Sequence, residues 1–253
     1  MEGWQQRRTS FGSVAADYAA LRPGYPADAV AFLLGGRPRR VLDLGAGTGL
    51  LTEALVAAGH DVVAADVSSD MLAELRARLP GVPTLVSGAE SLPLPDGDRD
   101  VIVAAQAAHW FDPAAASREF LRVLAPGGAV GFVWNIQQAV APWARELAGL
   151  QAEGTRDQTG DRPEGNQAIV DAFAAQLGAD VETHHVRWVH RVPPEAVVGR
   201  AASSSRVALL DDDARAAYLG RIRDLLGTHP DTRGRDELGI DYVTQAWRLV
   251  PRR

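Results

Sequence analysis

The chain has no cysteine, which removes a thiolate nucleophile, a disulfide and a Cys-ligated iron–sulfur cluster from consideration. It has no lysine either: all 26 of its basic residues are arginine, so Schiff-base chemistry and the lysine of a phosphate-binding P-loop are unavailable. Long apolar runs are missing too. The hydrophobic residues fall in short stretches broken by Gly, Pro and charge, none near the roughly 20 residues that a membrane span needs, and the polar start Met1 to Ser10 shows no signal-peptide pattern. An excess of positive charge is the fourth absence. A formal net charge of −6 leaves no basic footprint for neutralising a phosphate backbone, and the small cluster Arg37, Arg39 and Arg40 stands before a predicted strand as a solvated strand entry. The expectation is a cytoplasmic protein that binds neither nucleic acid nor membrane.

What is present is enough apolar residue, 46% of 253, for one globular domain with a sizeable core. Short apolar runs alternate with helical spacing. Strands are predicted at Val41 to Leu44, Val62 to Val67, Thr84 to Ser87, Val101 to Ala105 and Ala129 to Asn135. Helices are predicted at Ala27 to Leu34, Leu50 to Ala58, Ser69 to Leu79, with a serine cap, and Ala114 to Leu124, ending at Pro126-Gly127-Gly128. Such alternation implies a parallel, doubly wound α/β sheet. Further on, Gln151 to Gln167 is Gly-, Asp- and Arg-rich and reads as a mobile loop, Val181 to Val192 and Ile240 to Leu249 alternate as strands, and Ala214 to Leu226 reads as a helix with an acidic entry at Asp211 to Asp213. Three parts are expected: a lid-like segment over 1–36, a ligand-binding core over 37–136, and a remainder over 137–253 that completes the sheet and forms a second pocket.

In an open parallel sheet a ligand sits beyond the carboxyl ends of the strands, where Gly45-Ala46-Gly47-Thr48-Gly49 follows the first strand. A glycine triplet alone is equally consistent with a bare structural turn. Asp66 adds information: it closes the second strand about 20 residues on, the spacing at which a carboxylate accepts hydrogen bonds from ribose hydroxyls. A dinucleotide fingerprint carries Gly or Ala at its sixth position, to fit helix against strand around a pyrophosphate, but here that position is Leu50. Asp43, just before the glycines, would repel a pyrophosphate and suits the ammonium of an amino-acid moiety. S-adenosylmethionine has that ammonium and no phosphate.

Five motifs then carry a resemblance: Val41-Leu42-Asp43-Leu44-Gly45-Ala46-Gly47-Thr48-Gly49, Asp66 with Met71, Ala89-Glu90-x-Leu92-Pro93, His109-Trp110-Phe111, and Leu124-x-Pro126-Gly127-Gly128. In this order and spacing, from Phe11 to about Asn135, the chain resembles the class I S-adenosylmethionine-dependent methyltransferases of the type 11 branch, which includes ubiquinone-biosynthesis and trans-aconitate methyltransferases. The resemblance implies a Rossmann-like, seven-stranded, mostly parallel sheet with an antiparallel last strand and an N-terminal helical cap. It implies that Asp43 and the loop Gly45, Ala46, Gly47, Thr48 and Gly49 hold the methionine part, Asp66 the ribose, and Ala89 with Glu90 the adenine edge. Val67, Met71, Gln106 and Trp110 complete the implied cofactor set. Tyr18 and Arg22, in Tyr18-x-x-x-Arg22-Pro23-x-Tyr25-Pro26, would close over the cofactor, with Arg22 meeting its carboxylate. Gly88 departs from the pattern, since many relatives carry an aspartate there on the adenine amine.

Methyl transfer from a sulfonium is an in-line displacement in which orientation does most of the work. A base helps only where the acceptor arrives protonated, and His109 is the candidate, with packing beside Trp110 as its other reading. After the fourth strand, Ala105-Gln106-Ala107-Ala108 lacks the Asn/Asp-Pro-Pro-Tyr signature of resembling families that methylate exocyclic base amines or glutamine amides. The expected partner is a small-molecule acceptor, with S-adenosyl-L-homocysteine as the product cofactor. Trp110 and Trp134 are candidates to line an acceptor pocket, Trp188 and Trp247 for the core. His184, His185 and His190 alternate along one strand without a partner cluster, and no metal site is expected. Two other functions remain open at this point: a non-catalytic cofactor-binding protein, which transfer chemistry cannot exclude because it needs few obligatory side chains, and a nucleotide-dependent oxidoreductase, which Leu50, Asp43 and the missing lysine oppose.

Overall fold

The computed structural model describes residues 22–37, 39–152, 163–204, 207 and 210–252. Along the chain run α1 (Ala27–Leu34), β1 (Arg40–Leu44), α2 (Leu50–Ala57), β2 (Asp61–Asp66), α3 (Ser69–Arg78), β3 (Thr84–Val86), β4 (Arg99–Ala105), α4 (Pro113–Val123) and β5 (Leu124–Gln138). Then follow α5 (Pro142–Ala152), α6 (Pro163–Leu177), β6 (Ala179–Val192), α7 (Pro194–Ala202), α8 (Asp212–Thr228) and β7 (Leu238–Pro251). The strands make one seven-stranded sheet in the order β3-β2-β1-β4-β5-β7-β6. β1 to β5 are parallel to their neighbours, and antiparallel pairing enters with β7 between β5 and β6. This is the Rossmann-like methyltransferase architecture expected from the sequence.

The chain falls into two compact units, one of residues 24–136, 159–186 and 244–253, the other of 1–23, 137–158 and 187–243. The first holds the parallel strands. Their side chains alternate between two buried layers, as strand geometry requires. Val41, Val101, Val103 and Val133 pack with Leu33 and Leu34 of α1 and Leu51 and Leu55 of α2. Leu42, Ile102, Ala104, Val130 and Phe132 face the other way, onto Phe120 of α4 and Phe173 of α6. α4 shows how local sequence makes such a helix. Asp112 caps it by accepting from Ala115 N at 2.7 Å, Pro113 opens it, and Ala116, Phe120 and Val123 bury one face.

In the other unit Trp143 and Leu147 of α5, Val197, Val198 and Ala201 of α7, and Tyr218, Ile222 and Leu226 of α8 share a core with Val192, Leu238, Ile240 and Tyr242. Asp211 caps α8 on Ala214 N at 2.8 Å, with Asp212 and Asp213 in its first turn, as the acidic run suggested.

Three expectations change. The Gln151 to Gln167 stretch is helical at both ends, α5 reaching Ala152 and α6 opening at Pro163. Val170, Phe173 and Leu177 follow at helical spacing and bury on the sheet, a pattern that the polar entry obscures. Pro126-Gly127-Gly128 does not separate helix from strand but lies inside β5, where the ladder jumps from Arg99↔Leu124 to Val101↔Ala129. Trp134 is fully buried against Phe132 and Trp247, a core residue and not a pocket lining. No helix among the described residues is long and apolar enough to cross a membrane.

Candidate functional site

The parallel strands of the larger unit place four sequence-distant stretches at their carboxyl ends: 43–49 at the end of β1, 66–68 at the end of β2, 87–90 after β3 and 106–112 after β4. The turn after β1 is fixed from below. Gly45 N and Ala46 N both donate to the Ala65 carbonyl, at 2.8 and 3.0 Å, and Gly49 N donates to Ala46 O at 2.9 Å. Arg78 clamps the turn from α3, giving Nη1 to Thr48 O at 2.9 Å. Two glycines are demanded by what lies beside them. A Cβ on Gly45 (φ +70°) would stand 2.5 Å from Ala107 Cβ, and one on Gly49 (φ +88°) 2.8 Å from Leu75 Cγ. A Cβ on Gly47 would meet nothing within 4 Å, so its face of the turn is open to a ligand.

Asp66 is the pivot. Its Oδ2 accepts from Gly47 N at 2.9 Å and its Oδ1 from Ser68 N at 2.8 Å, which locks the carboxylate in place while each oxygen keeps a lone pair for a second donor. Ser68 also caps α3 on Met71 N, and Met71 is buried in that helix. Beside Asp66, Val67 presents an exposed apolar side chain, at 43%.

Next to it lies the turn after β3, pinned by Ser87 N to Asp66 O at 3.0 Å. Ala89 is buried. Glu90 accepts from Asp112 N at 3.0 Å through Oε1, and its Oε2 stands 3.0 Å from the position a Cβ on Gly88 would take. The carboxylate thus fills the ground that a side chain at residue 88 would need.

The end of β4 is strained. Gln106 is the one non-glycine residue with positive φ (+55°) among the described residues, a conformation that costs an ordinary side chain about 1–2 kcal/mol. It is held there by Gln106 N to Val133 O at 2.9 Å and by Nε2 to Asn135 O at 3.2 Å. His109 and Trp110 follow in a short 3-10 turn (Ala108–Trp110), both half-buried, their rings 4.7 Å apart. Strain at such a junction is typical of functional sites.

Asp43 departs from expectation in its setting. It is completely buried; Thr52 of α2 donates to its Oδ2 at 2.6 Å, and Oδ1 has no partner among the described residues. Burial pushes the Asp43 carboxyl up to about 7 from an ordinary 3.8, the Thr52 hydroxyl pulls the other way, and nearby Asp66 adds to the rise. The folded chain thus holds a proton here that the unfolded chain has lost. This contribution to stability is full below the ordinary value and disappears as pH rises to about 7. Urea midpoints are expected to gain on an Asp43→Asn variant as pH falls from 8 to 5. Parallel profiles would refute the assignment.

Tyr18 lies outside the described residues. Arg22 is half-buried in the stretch leading to α1. No group of three or more His, Asp or Glu side chains converges among the described residues. His184 instead packs on Phe32, His185 on Trp247, and His190 on Trp188 and Tyr242. Thr52, Arg78 and Asn135 were not singled out from the sequence, because each acts through a hydrogen bond to a residue that no periodicity connects to it.

Residues 42–132 match the methyltransferase domain family of type 11. An uncharacterized methyltransferase of Mycobacterium tuberculosis is 42% identical over 244 residues, covering 95% of both chains. A malonyl-[acyl-carrier protein] O-methyltransferase of Methylococcus capsulatus is 40% identical over 134 residues, 49% of each chain. Among solved structures, one described as a type II methyltransferase from Anaeromyxobacter dehalogenans superposes with a TM-score of 0.70 at 24% identity, over 91% of this chain and 97% of that one, which speaks to the fold. With an open glycine turn, an anchored acidic strand end and a near full-length methyltransferase relative, the chain belongs to the class I S-adenosylmethionine-dependent methyltransferases.

Proposed function

We propose that this methyltransferase acts on a small-molecule acceptor by in-line displacement, with the cofactor lying over the glycine turn. The residues present fit such a group. Asp66 would accept from the ribose hydroxyls with the lone pairs left by Gly47 N and Ser68 N. Val67 would pack on the adenine face with Ala89 at its edge. Because Glu90 Oε2 occupies the ground above Gly88, Glu90 is assigned the adenine amine in place of an aspartate at 88. Gly45, Ala46, Gly47, Thr48 and Gly49 would seat the methionine part, with Asp43 bracing the turn from below through its bond with Thr52 and Met71 backing the turn. Gln106, Trp110, Arg22 and Tyr18 complete the set, Arg22 for the carboxylate.

The bound cofactor supplies an electrophilic sulfonium methyl. The chain's part is orientation and the exclusion of water, with His109 as the base where the acceptor carries a proton to be removed.

The single observation that carries the acceptor class is the stretch after β4. Gln106-Ala107-Ala108-His109 offers one amide, already bonded to Asn135 O, and no donor–acceptor array for the amine of a base or an amide. The formal charge of −6 agrees, since a nucleic acid would be repelled. The methyl acceptor named for the Methylococcus relative, a malonyl group on a carrier protein, makes small carboxylic acids and their thioesters the first to test. A cytoplasmic setting belongs to the same reading.

Titration with S-adenosylmethionine, S-adenosylhomocysteine and NADH in parallel tests the cofactor: micromolar binding of the first two and none of the third is expected. Labelled methyl transfer to a panel of small acids, phenols and amines, beside bulk RNA and protein, tests the acceptor. Label entering only RNA, or only the amino-acid side chains of protein, would overturn the small-molecule assignment.

A further inference from the structure

Tyr242 is a polar residue in an apolar place. It sits on β7 among Trp143, Val197, Val198 and Ile222 in the core of the smaller unit, 2% exposed. Its hydroxyl has no hydrogen-bond partner among the described residues. A buried tyrosine normally finds one, and an unmet donor costs the fold its full desolvation.

The surroundings of the ring suit an anion. Trp188 of β6 stacks on it, with centroids 5.3 Å apart at 26°. His190, two residues further along the same strand, meets it edge-on at 6.3 Å. From α7 the guanidinium of Arg200 lies over the ring, Cζ 5.5 Å from the centroid. Trp188, His190 and Arg200 are all half-buried, so the cluster is not sealed from solvent. A cation over a ring uses the ring's face and none of the guanidinium's five N–H donors. Burial first, and the Arg200 charge second, hold the His190 imidazole below its ordinary value. It is thus an uncharged ring beside a charged fork, and the fork of an arginine matches the plane of a carboxylate.

Position in the sheet agrees. One same-face step along β7 from Tyr242, the Thr244 hydroxyl donates to Asn135 Oδ1 at 2.6 Å, near the end of β5. β7 runs antiparallel to β5. The step back from Thr244 to Tyr242 therefore leads toward the carboxyl end of β5, the side on which open α/β sheets bind ligands.

We propose that Arg200, Tyr242 and His190 recognise a carboxylate on the methyl acceptor. Arg200 pairs with its charge, the Tyr242 hydroxyl and the His190 imidazole donate to its oxygens, and the Trp188 ring backs the apolar body that carries it. The proposal rests on the small-molecule reading above and narrows it to carboxylic acids.

The test titrates benzoate and its neutral isostere benzamide into the full chain saturated with S-adenosylhomocysteine, and into Tyr242→Phe and Arg200→Met, with thermal denaturation alongside. The unsubstituted chain is expected to bind benzoate saturably, and benzamide at least about tenfold more weakly. Each variant should lose about tenfold or more in benzoate affinity, the worth of one hydrogen bond to a charged group, with S-adenosylhomocysteine binding unchanged. Tyr242→Phe should melt no lower than the unsubstituted chain, because the hydroxyl it removes has no partner among the described residues. A lower Tm with benzoate affinity intact would assign that hydroxyl to the fold, through a buried water, and overturn the proposal. So would benzamide binding as tightly as benzoate, or neither binding at all. Benzoate binding is read without turnover, so these results judge this site alone; label entering only RNA or amino-acid side chains in the transfer assay overturns the reading beneath it.

Discussion

Asp66→Ala is expected to reduce affinity for S-adenosylmethionine by about 100-fold or more, with the protein still folded. Two ribose hydroxyls donating to one carboxylate are charge-assisted hydrogen bonds of about 1.5–3 kcal/mol each, and about 2.7 kcal/mol is already 100-fold. The substitution also strips acceptors from Gly47 N and Ser68 N, which loosens the turn and the start of α3 together. Asp66→Asn should fare little better. An asparagine must turn its NH₂ toward one of those two N–H groups, and donor faces donor whichever way the amide is set. Titration calorimetry reads both variants. Binding at the wild-type level by Asp66→Ala would move the ribose elsewhere.

Gly45→Ala is expected to be the most destabilising single-methyl change in the turn. The new Cβ would have to stand 2.5 Å from Ala107 Cβ at a backbone φ of +70°. Left-handed strain of about 1–2 kcal/mol and overpacking of about 1–3 kcal/mol add to roughly 2–5 kcal/mol, a large share of the stability of an ordinary domain. For a chain of this size that is a fall in Tm of roughly 4–20 °C. Gly47→Ala is the control. Its φ of +55° carries the strain, but nothing lies within 4 Å of the added carbon, so a loss of only about 1–2 kcal/mol is expected. Combining Gly45→Ala with Ala107→Gly should recover the overpacking part and leave the strain, a double-mutant cycle that isolates the contact. Equal losses for Gly45→Ala and Gly47→Ala would show that Ala107 yields freely.

These effects fall in the half of the molecule that its sequence describes best. Strand, glycine turn and helix alternate there because each parallel strand is a short apolar run and each helix buries one face, patterns of period 2 and 3.6 that local reading detects. Asp66 was found by spacing alone. The later strands were also legible, β6 and β7 extending the predicted alternation by two residues at one or both ends. Other features were hidden for physical reasons. α6 follows a polar, charged entry, so its apolar face emerges only from Val170 onward. Trp134 occupies a strand end in the sequence, yet β5 runs on to Gln138 and leaves it inside the core. Asp43 reads as a ligand's partner, and only the packing of α2 shows Thr52 holding it out of solvent. Asn135 is the extreme case, with hydrogen-bond partners more than 100 residues away on either side and no local pattern to reveal them.

The sheet order has a consequence for synthesis. β7 is translated after both of its neighbours, yet it lies between them. While the ribosome is still decoding residues 139–237, β5 has emerged with one edge unpaired, and it is 15 residues long and buried over most of its length in the finished fold. At roughly 5–20 residues per second this apolar edge stays uncovered for several seconds in every nascent chain. Thr244, whose hydroxyl donates to Asn135 Oδ1, arrives with the same late strand. Pausing translation before residue 238 should therefore yield chains that already carry the whole glycine turn yet stick to one another and to chaperones through β5, whereas release of β7 seals the edge and fixes the Gly24 stretch in one step.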